Sequence, residues 1–142
     1  MKPPNNKRLV LLALGFATGA LVQPFLEKNR PADRGALEQA FQSQQSDVQV
    51  EGSGTVTRVL SDDNEGSRHQ RFILELSSGR TLLIAHNIDL APRIPSLEAG
   101  DPVEFCGEYE WNSKGGVLHW THHDPQGRRP AGWLKHSGRI YQ

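Results

Sequence analysis

Cys106 is the lone cysteine in the chain. One thiol cannot close an internal disulfide, so the fold must rest on its hydrophobic core. Exported proteins can do without disulfides, so the lone thiol does not place the compartment. The expected role of Cys106 is that of a small packed residue. Surplus charge of either sign is also missing, because 16 Lys and Arg balance 16 Asp and Glu. That balance is uneven along the chain. Lys2, Lys7 and Arg8 precede the first hydrophobic run and no acidic residue does; without those three, 13 basic residues face 16 acidic ones, a balance of −3. A generic nucleic-acid binder would carry a basic surplus, so that class is not expected. There are no internal repeats. No nucleophile-elbow serine, phosphate-cradling glycine loop or dinucleotide fingerprint occurs either, which removes the enzyme classes built on them.

What is present begins with a leader. Residues 1–8 are polar and positive, and residues 9–22 are an apolar run of Leu, Val, Ala, Gly and Phe that Gln23-Pro24 ends. A charged start followed by about 7–15 apolar residues is the pattern of a secretory signal. The run is shorter than the roughly 20 residues of a membrane-spanning helix, although Phe25 and Leu26 could lengthen it. Residues 1–26 are therefore expected to be a signal peptide or, failing cleavage, an N-terminal anchor in the inner membrane. No cysteine stands directly after the run, which speaks against a lipoprotein. The expected location is periplasmic or secreted, with membrane contact only through residues 1–26.

Residues 27–46 read as a linker and short helix. Pro31 and Gly35 mark the linker, and Leu37, Ala40 and Phe41 recur at helical spacing, giving one apolar stripe over 36–45. From residue 47 the period becomes two. Val48, Val50, Val56 and Leu60 share one parity, with Gly52 and Gly54 between them, which suggests a bulge or bend in a long strand. After a polar loop at 61–67 come strands expected at 71–76 and 81–85, joined by the hairpin signal Ser77-Ser78-Gly79. Residues 88–100 hold Pro92 and Pro95 and read as a long irregular connection. The clearest alternation follows: Val103, Phe105, Tyr109 and Trp111 against Glu104, Cys106, Glu108 and Glu110. A last strand is expected at 117–122, and the Pro-, Gly- and Arg-rich remainder as a tail wrapping the domain. Three strands, a long connection and two strands is the order of an OB-type barrel. The expected fold is mainly β: a small five-stranded OB-like barrel at 47–142 with one short N-terminal helix.

The densest cluster of reactive side chains is His119-Trp120-Thr121-His122-His123-Asp124-Pro125. Imidazoles and carboxylates suit a transition metal such as zinc. In one extended strand, however, His119 and His123 would lie about 13 Å apart at about 3.3 Å per residue. A shared ion would need the strand to break near Thr121, or ligands from elsewhere: His69, His86, Asp62, Asp63 or Asp89. The acidic run Asp62-Asp63-Asn64-Glu65 lacks the alternate ligand spacing of an EF-hand loop and reads first as a solvated turn. Arg68-His69-Gln70-Arg71 is a short hydrogen-bonding run, whose arginines suit anions. Leu118 and Trp120 share a parity, which places Trp120 in the core. Trp133 stands in the tail as a ligand platform or an anchor.

Four blocks carry a family resemblance: Ser61-Asp62-Asp63-Asn64-Glu65-Gly66-Ser67-Arg68-His69-Gln70, His86-Asn87-Ile88-Asp89-Leu90-Ala91-Pro92, Gly107-Glu108-Tyr109, and Gly116-Val117-Leu118-His119-Trp120-Thr121-His122-His123-Asp124-Pro125. Over residues 48–141 the chain resembles an uncharacterised bacterial family, domain of unknown function 3465. The resemblance implies a small envelope protein and brings no activity with it. A looser likeness links residues 54–60, the acidic turn and residues 80–89 to the barrel of staphylococcal-nuclease-type enzymes. No arginine stands one strand position ahead of an aspartate as in that family, and His86 takes the place of an acidic ligand, so only layout is implied.

Two functions are expected from these residues. The first is a module for a small polar ligand, held by His69, His86, Asp89, His119, Trp120 and Asp124. The second is a metal-assisted hydrolase of the phosphodiesterase or nuclease-like kind, with His69, His86, His119, His122, His123, Asp62 and Asp63 as the ligand pool and a bound water of lowered pKa.

Overall fold

The computed structural model describes residues 31–142; the leader and the first linker residues lie outside them. One helix, α1 (Pro31–Gln42), precedes strands β1 (Val48–Val59), β2 (His69–Glu75), β3 (Thr81–Asn87), β4 (Pro102–Glu110), β5 (Val117–His119), β6 (Trp133–His136) and β7 (Arg139–Tyr141). Helix α1 starts earlier than the stripe at 36–45 suggests, with Pro31 as its first residue. The fixed φ of proline suits that position, and its missing N–H costs nothing there. Among the described residues no helix is long and apolar enough to cross a membrane.

The first five strands run β1-β2-β3-β5-β4, and β4 pairs back to β1, closing a barrel. Only β3 and β5 are parallel. This is the OB-type order the sequence predicts. Period-two alternation builds it: Val50, Val56, Phe72, Leu74, Leu82, Ile84, Val103, Phe105, Tyr109 and Leu118 all face inward and are buried. At about 25 cal/mol per Å² of apolar surface, this core is the main favourable contribution to folding.

Strand β1 serves two neighbours. Residues 48–55 pair with β4, and residues 55–59 pair with β2. The expected irregularity is there, but the bulge falls at Thr57, between the registered positions Val56 and Arg58. Gly52 and Gly54 act by close approach instead. A Cβ at Gly52 would come within 2.7 Å of the Phe105 ring, and one at Gly54 within 2.8 Å of the Glu75 carbonyl. Absent side chains let the strand bend across the barrel.

Both barrel ends are closed. Leu37 and Ala40 of α1 are buried in the core, while Phe41 packs on Trp111 and lies under the Arg80 guanidinium. Arg80 also holds Glu38, tying α1 to the β2–β3 turn. At the opposite end the connection 88–101 contains no helix, and its Ile94, 1% exposed, fills the opening.

Two elements depart from expectation. Strand β5 ends at His119 rather than at 122, because Trp120 turns to φ +55°. The tail does more than wrap: β6 pairs with residues 103–106 of β4, and β7 returns on β6. Their turn, Ser137-Gly138, has positive φ at both residues, as a two-residue hairpin loop requires.

Candidate functional site

His86 lies on β3 with the inward parity of Leu82 and Ile84 and is 0% exposed. Both ring nitrogens are engaged. Nε2 lies 2.9 Å from the Pro92 carbonyl, which can only accept, so Nε2 carries the proton. Nδ1 then accepts from the Thr121 hydroxyl at 2.7 Å. Burial pushes the His86 pKa down to about 4, and nearby His122, His69 and Arg93 oppose protonation further. At neutral pH this histidine is uncharged, and it has no lone pair left for an ion.

Its cross-strand partner is Gln70, 4% exposed. The Gln70 amide donates to the Ile94 carbonyl and accepts from the Ile94 N–H, both at 2.9 Å. A buried amide with both halves paired avoids the cost of desolvation. Gln70 and His86 together pin the connection 88–101 onto the barrel end.

Thr121 and His122 reach this end because β5 breaks. Gly107 of β4 makes the passage possible: a Cβ there would stand 2.5 Å from the His119 carbonyl and 3.1 Å from Thr121 Cγ2. The turn itself places a bulky side chain at positive φ, at a cost of about 1–3 kcal/mol, which persists only where the surroundings impose it. Here Thr121 is anchored to His86, and Gly132 donates to the His122 carbonyl at 3.0 Å. Trp120 is consequently half-buried at the rim rather than in the core. Its ring lies 5.4 Å from that of His122, and the Arg129 guanidinium sits 4.4 Å above it. Arg129 also pairs with Glu108.

The remaining expected site residues have definite places. His122 is 3% exposed; its Nδ1 donates to the His123 carbonyl at 2.7 Å, leaving Nε2 as an acceptor. Half-buried His69 likewise donates from Nδ1 to the Ser67 carbonyl at 2.8 Å. Asp89 accepts the Arg68 N–H and Nε–H, each at 2.8 Å, which holds its carboxyl below the usual range. Asp62 pairs with Arg93, and Asp63 accepts the Glu65 N–H in a local turn. Asp124 accepts the N–H groups of Gln126, Arg128 and Arg129, which lower its pKa and close the loop on itself. His123 is exposed. His119 faces outward and meets Glu110 at 2.8 Å.

The structure therefore gathers His69, His86 and His122, with Asp62, Asp89, Arg68 and Arg93, at the end roofed by residues 88–101. Arg129, stacked on Trp120, pairs with Glu108 on the outward face of β4, and His119 lies on that same outer wall as the cross-strand partner of Glu108. Among the described residues no three His, Cys, Asp or Glu side chains are arranged to hold one ion. Sequence reasoning did not single out Gln70 as an anchor or Arg129 and Glu108 as the pair beside Trp120. Gln70 shares its parity with Phe72 and Leu74, a signal that could have placed it inside. Arg129 belongs to a loop without period and gave no such signal. A shallow depression of about 350 Å³ lies elsewhere, lined by Ala36, Gln49, Val50, Glu51 and Cys106. Burial pushes the Cys106 thiol up, so it is a poor nucleophile.

The four sequence blocks thus meet in space. Asp62 of the first reaches Arg93, just past the second, and Arg68 of the first holds Asp89 of the second. His86 of the second holds Thr121 of the fourth, and Glu108 and Tyr109 of the third pair with His119 and Leu118 of the fourth across β4 and β5. Comparison with known families matches residues 20–142 to one described as protein of unknown function (DUF3465). No curated protein matches the chain.

Proposed function

The chain belongs to the DUF3465 family, and we propose that it is an exported binding module that holds a small polar ligand at the barrel end where the family's sequence blocks meet. One observation carries this reading: Trp120 is kept at φ +55° with its ring half-buried at the rim. A core tryptophan would gain more by continuing β5 inward. The strained turn instead presents an aromatic surface beside His122 and Arg129, on a frame made rigid by Gln70, His86 and Asp124. Ligand sites combine a few fixed polar groups with apolar or aromatic surface on such frames. Export rests on the leader, with Lys2, Lys7 and Arg8 ahead of the apolar run at 9–22. The metal-assisted alternative gains no support from the donor geometry, since His86 has both nitrogens engaged.

The test is an amide-shift titration of the purified protein with a panel of small polar metabolites: sugars, amino acids, dicarboxylates and nucleosides. Saturable changes are expected at residues 86–92 and 119–124, lost in Trp120→Ala. Saturable changes confined to the α1 end would reject the site, and a silent panel would reject the binding role. Recovery of the protein in the cytoplasm with an intact N-terminus would reject export.

A further inference from the structure

We infer that the outer wall of strands β2, β3 and β5 is a contact between two copies of this chain, packed face to face about a two-fold axis that crosses the strands at Ile73 and Leu83. The barrel's alternation breaks down on this wall. A sheet face turned to water carries polar residues opposite the buried ones, and β4 obeys: Glu104, Glu108 and Glu110 have the outward parity, against buried Val103, Phe105 and Tyr109. Strands β2 and β3 do not. Phe72, Leu74, Leu82 and Ile84 fill the core, yet the outward residues Ile73, Leu83 and Ala85 are apolar too. Runs that are apolar on both faces are the mark of strands covered on both sides.

The register sets these residues side by side. Ile73 pairs with Leu83, and Leu83 with Val117 of β5; Ala85 lies two positions along β3. All four are half-buried and stand outside the core cluster, so they form an aliphatic stripe across three strands. Helix α1 packs on β1 and the β6–β7 hairpin on β4, away from this stripe. Charge identifies what covers it. On β2 the outward positions on either side of Ile73 are Arg71 and Glu75. The Arg71 guanidinium bonds the Ser61 carbonyl rather than a carboxylate, and Glu75 is exposed. A two-fold axis lying across the strands reverses β2 over its copy. Ile73 and Leu83 then meet their own counterparts, and Arg71 of each copy comes opposite Glu75 of the other. An isologous contact needs a surface that complements itself in this way. A lipid tail would draw nothing from that pair of opposite charges. Arg58, the β1 neighbour of Ile73, is exposed at the margin, where solvent and salt screen it from its counterpart. Four aliphatic residues make a small apolar centre, so the dimer belongs to the weak, concentration-dependent class.

The experiment is sedimentation equilibrium of the full chain from about 5 µM to 1 mM, the range over which weak interfaces associate. Monomer and dimer should exchange with concentration. Leu83→Lys should weaken the dimer about tenfold or more with an unchanged near-ultraviolet spectrum, because the side chain stands outside the core. Arg71→Glu should weaken it as well, and Arg71→Glu combined with Glu75→Arg should restore it, which a folding defect cannot do. Leu83→Cys should be joined to its counterpart by a short bismaleimide, against a low background from Cys106, whose thiol is buried. Glu104→Cys, on the β4 wall, should not be joined. A monomer at every concentration overturns the inference. Association that Leu83→Lys leaves unchanged belongs to another surface, residues 1–26 included, and overturns it too. Failure of the double exchange to restore association overturns the two-fold arrangement. If Leu83→Lys instead lowers binding to phosphatidylcholine vesicles while the chain stays monomeric, the wall is a lipid contact and the second copy falls.

Discussion

His86 and Gln70 face each other across the β2–β3 ladder and meet the same requirement, that a polar side chain inside a barrel have every group paired. Each uses its two functional ends on the same connection or on the segment beside it. Replacing His86 by Phe preserves the approximate volume but leaves the Thr121 hydroxyl and the Pro92 carbonyl without partners. Each stranded group costs about 1–3 kcal/mol. His86→Phe should therefore lower unfolding stability by roughly 2–4 kcal/mol in chemical denaturation. A loss below about 0.5 kcal/mol, within the range of an ordinary surface substitution, would show that these bonds are not what holds the end closed.

The connection 88–101 is long and without helix, yet it seals the barrel because Ile94 is buried and Gln70 grips its backbone on both sides. Gln70→Leu removes that grip while keeping an apolar fit. Hydrogen exchange at residues 90–98 should then accelerate ahead of exchange in β4. Uniform acceleration across all strands would instead mean that the connection opens only with global unfolding. Much of this architecture was legible in the sequence. The alternation at 103–111 and at 72–76 and the long Pro-containing gap after β3 predict the barrel and its order. The inward parity of His86 with Leu82 and Ile84 was equally visible, but the histidine chemistry drew attention to ligation rather than burial. The end of β5 was hidden. Leu118 and Trp120 share a parity, and local sequence gives no sign that tryptophan will adopt a conformation normally left to glycine. Pattern shows which faces are buried; it does not show where tertiary contacts force a strand to turn. The β6–β7 hairpin had a signal in Ser137-Gly138, set among residues otherwise rich in breakers.

For the molecule as a whole, acid is the condition in which these arrangements act together. The folded-state pKa of His86 is about 4, against 6.5 for a solvent-exposed imidazole, so between those values the unfolded chain takes up a proton that the folded one refuses. Stability must then rise with pH across that window and be fully present above about 6.5. At 1.36 kcal/mol per pKa unit the loss on acidification to pH 4 is roughly 3 kcal/mol from this residue, a large share of the 5–15 kcal/mol typical of a domain. Asp89, Asp101 and Asp124 have lowered pKa values, because each accepts backbone N–H groups and the first two also accept from Arg68 and His136. They add the same sign at lower pH, where their protonation releases those bonds. Denaturant midpoints measured from pH 8 to pH 3 should stay level to about 6.5 and then fall in two stages. In His86→Phe the upper stage should flatten, since the mutant has no buried imidazole to refuse the proton. A mutant profile that still falls between pH 6.5 and 4 with the original slope would transfer the acid sensitivity to another group and remove His86 from the account of how the barrel end is held.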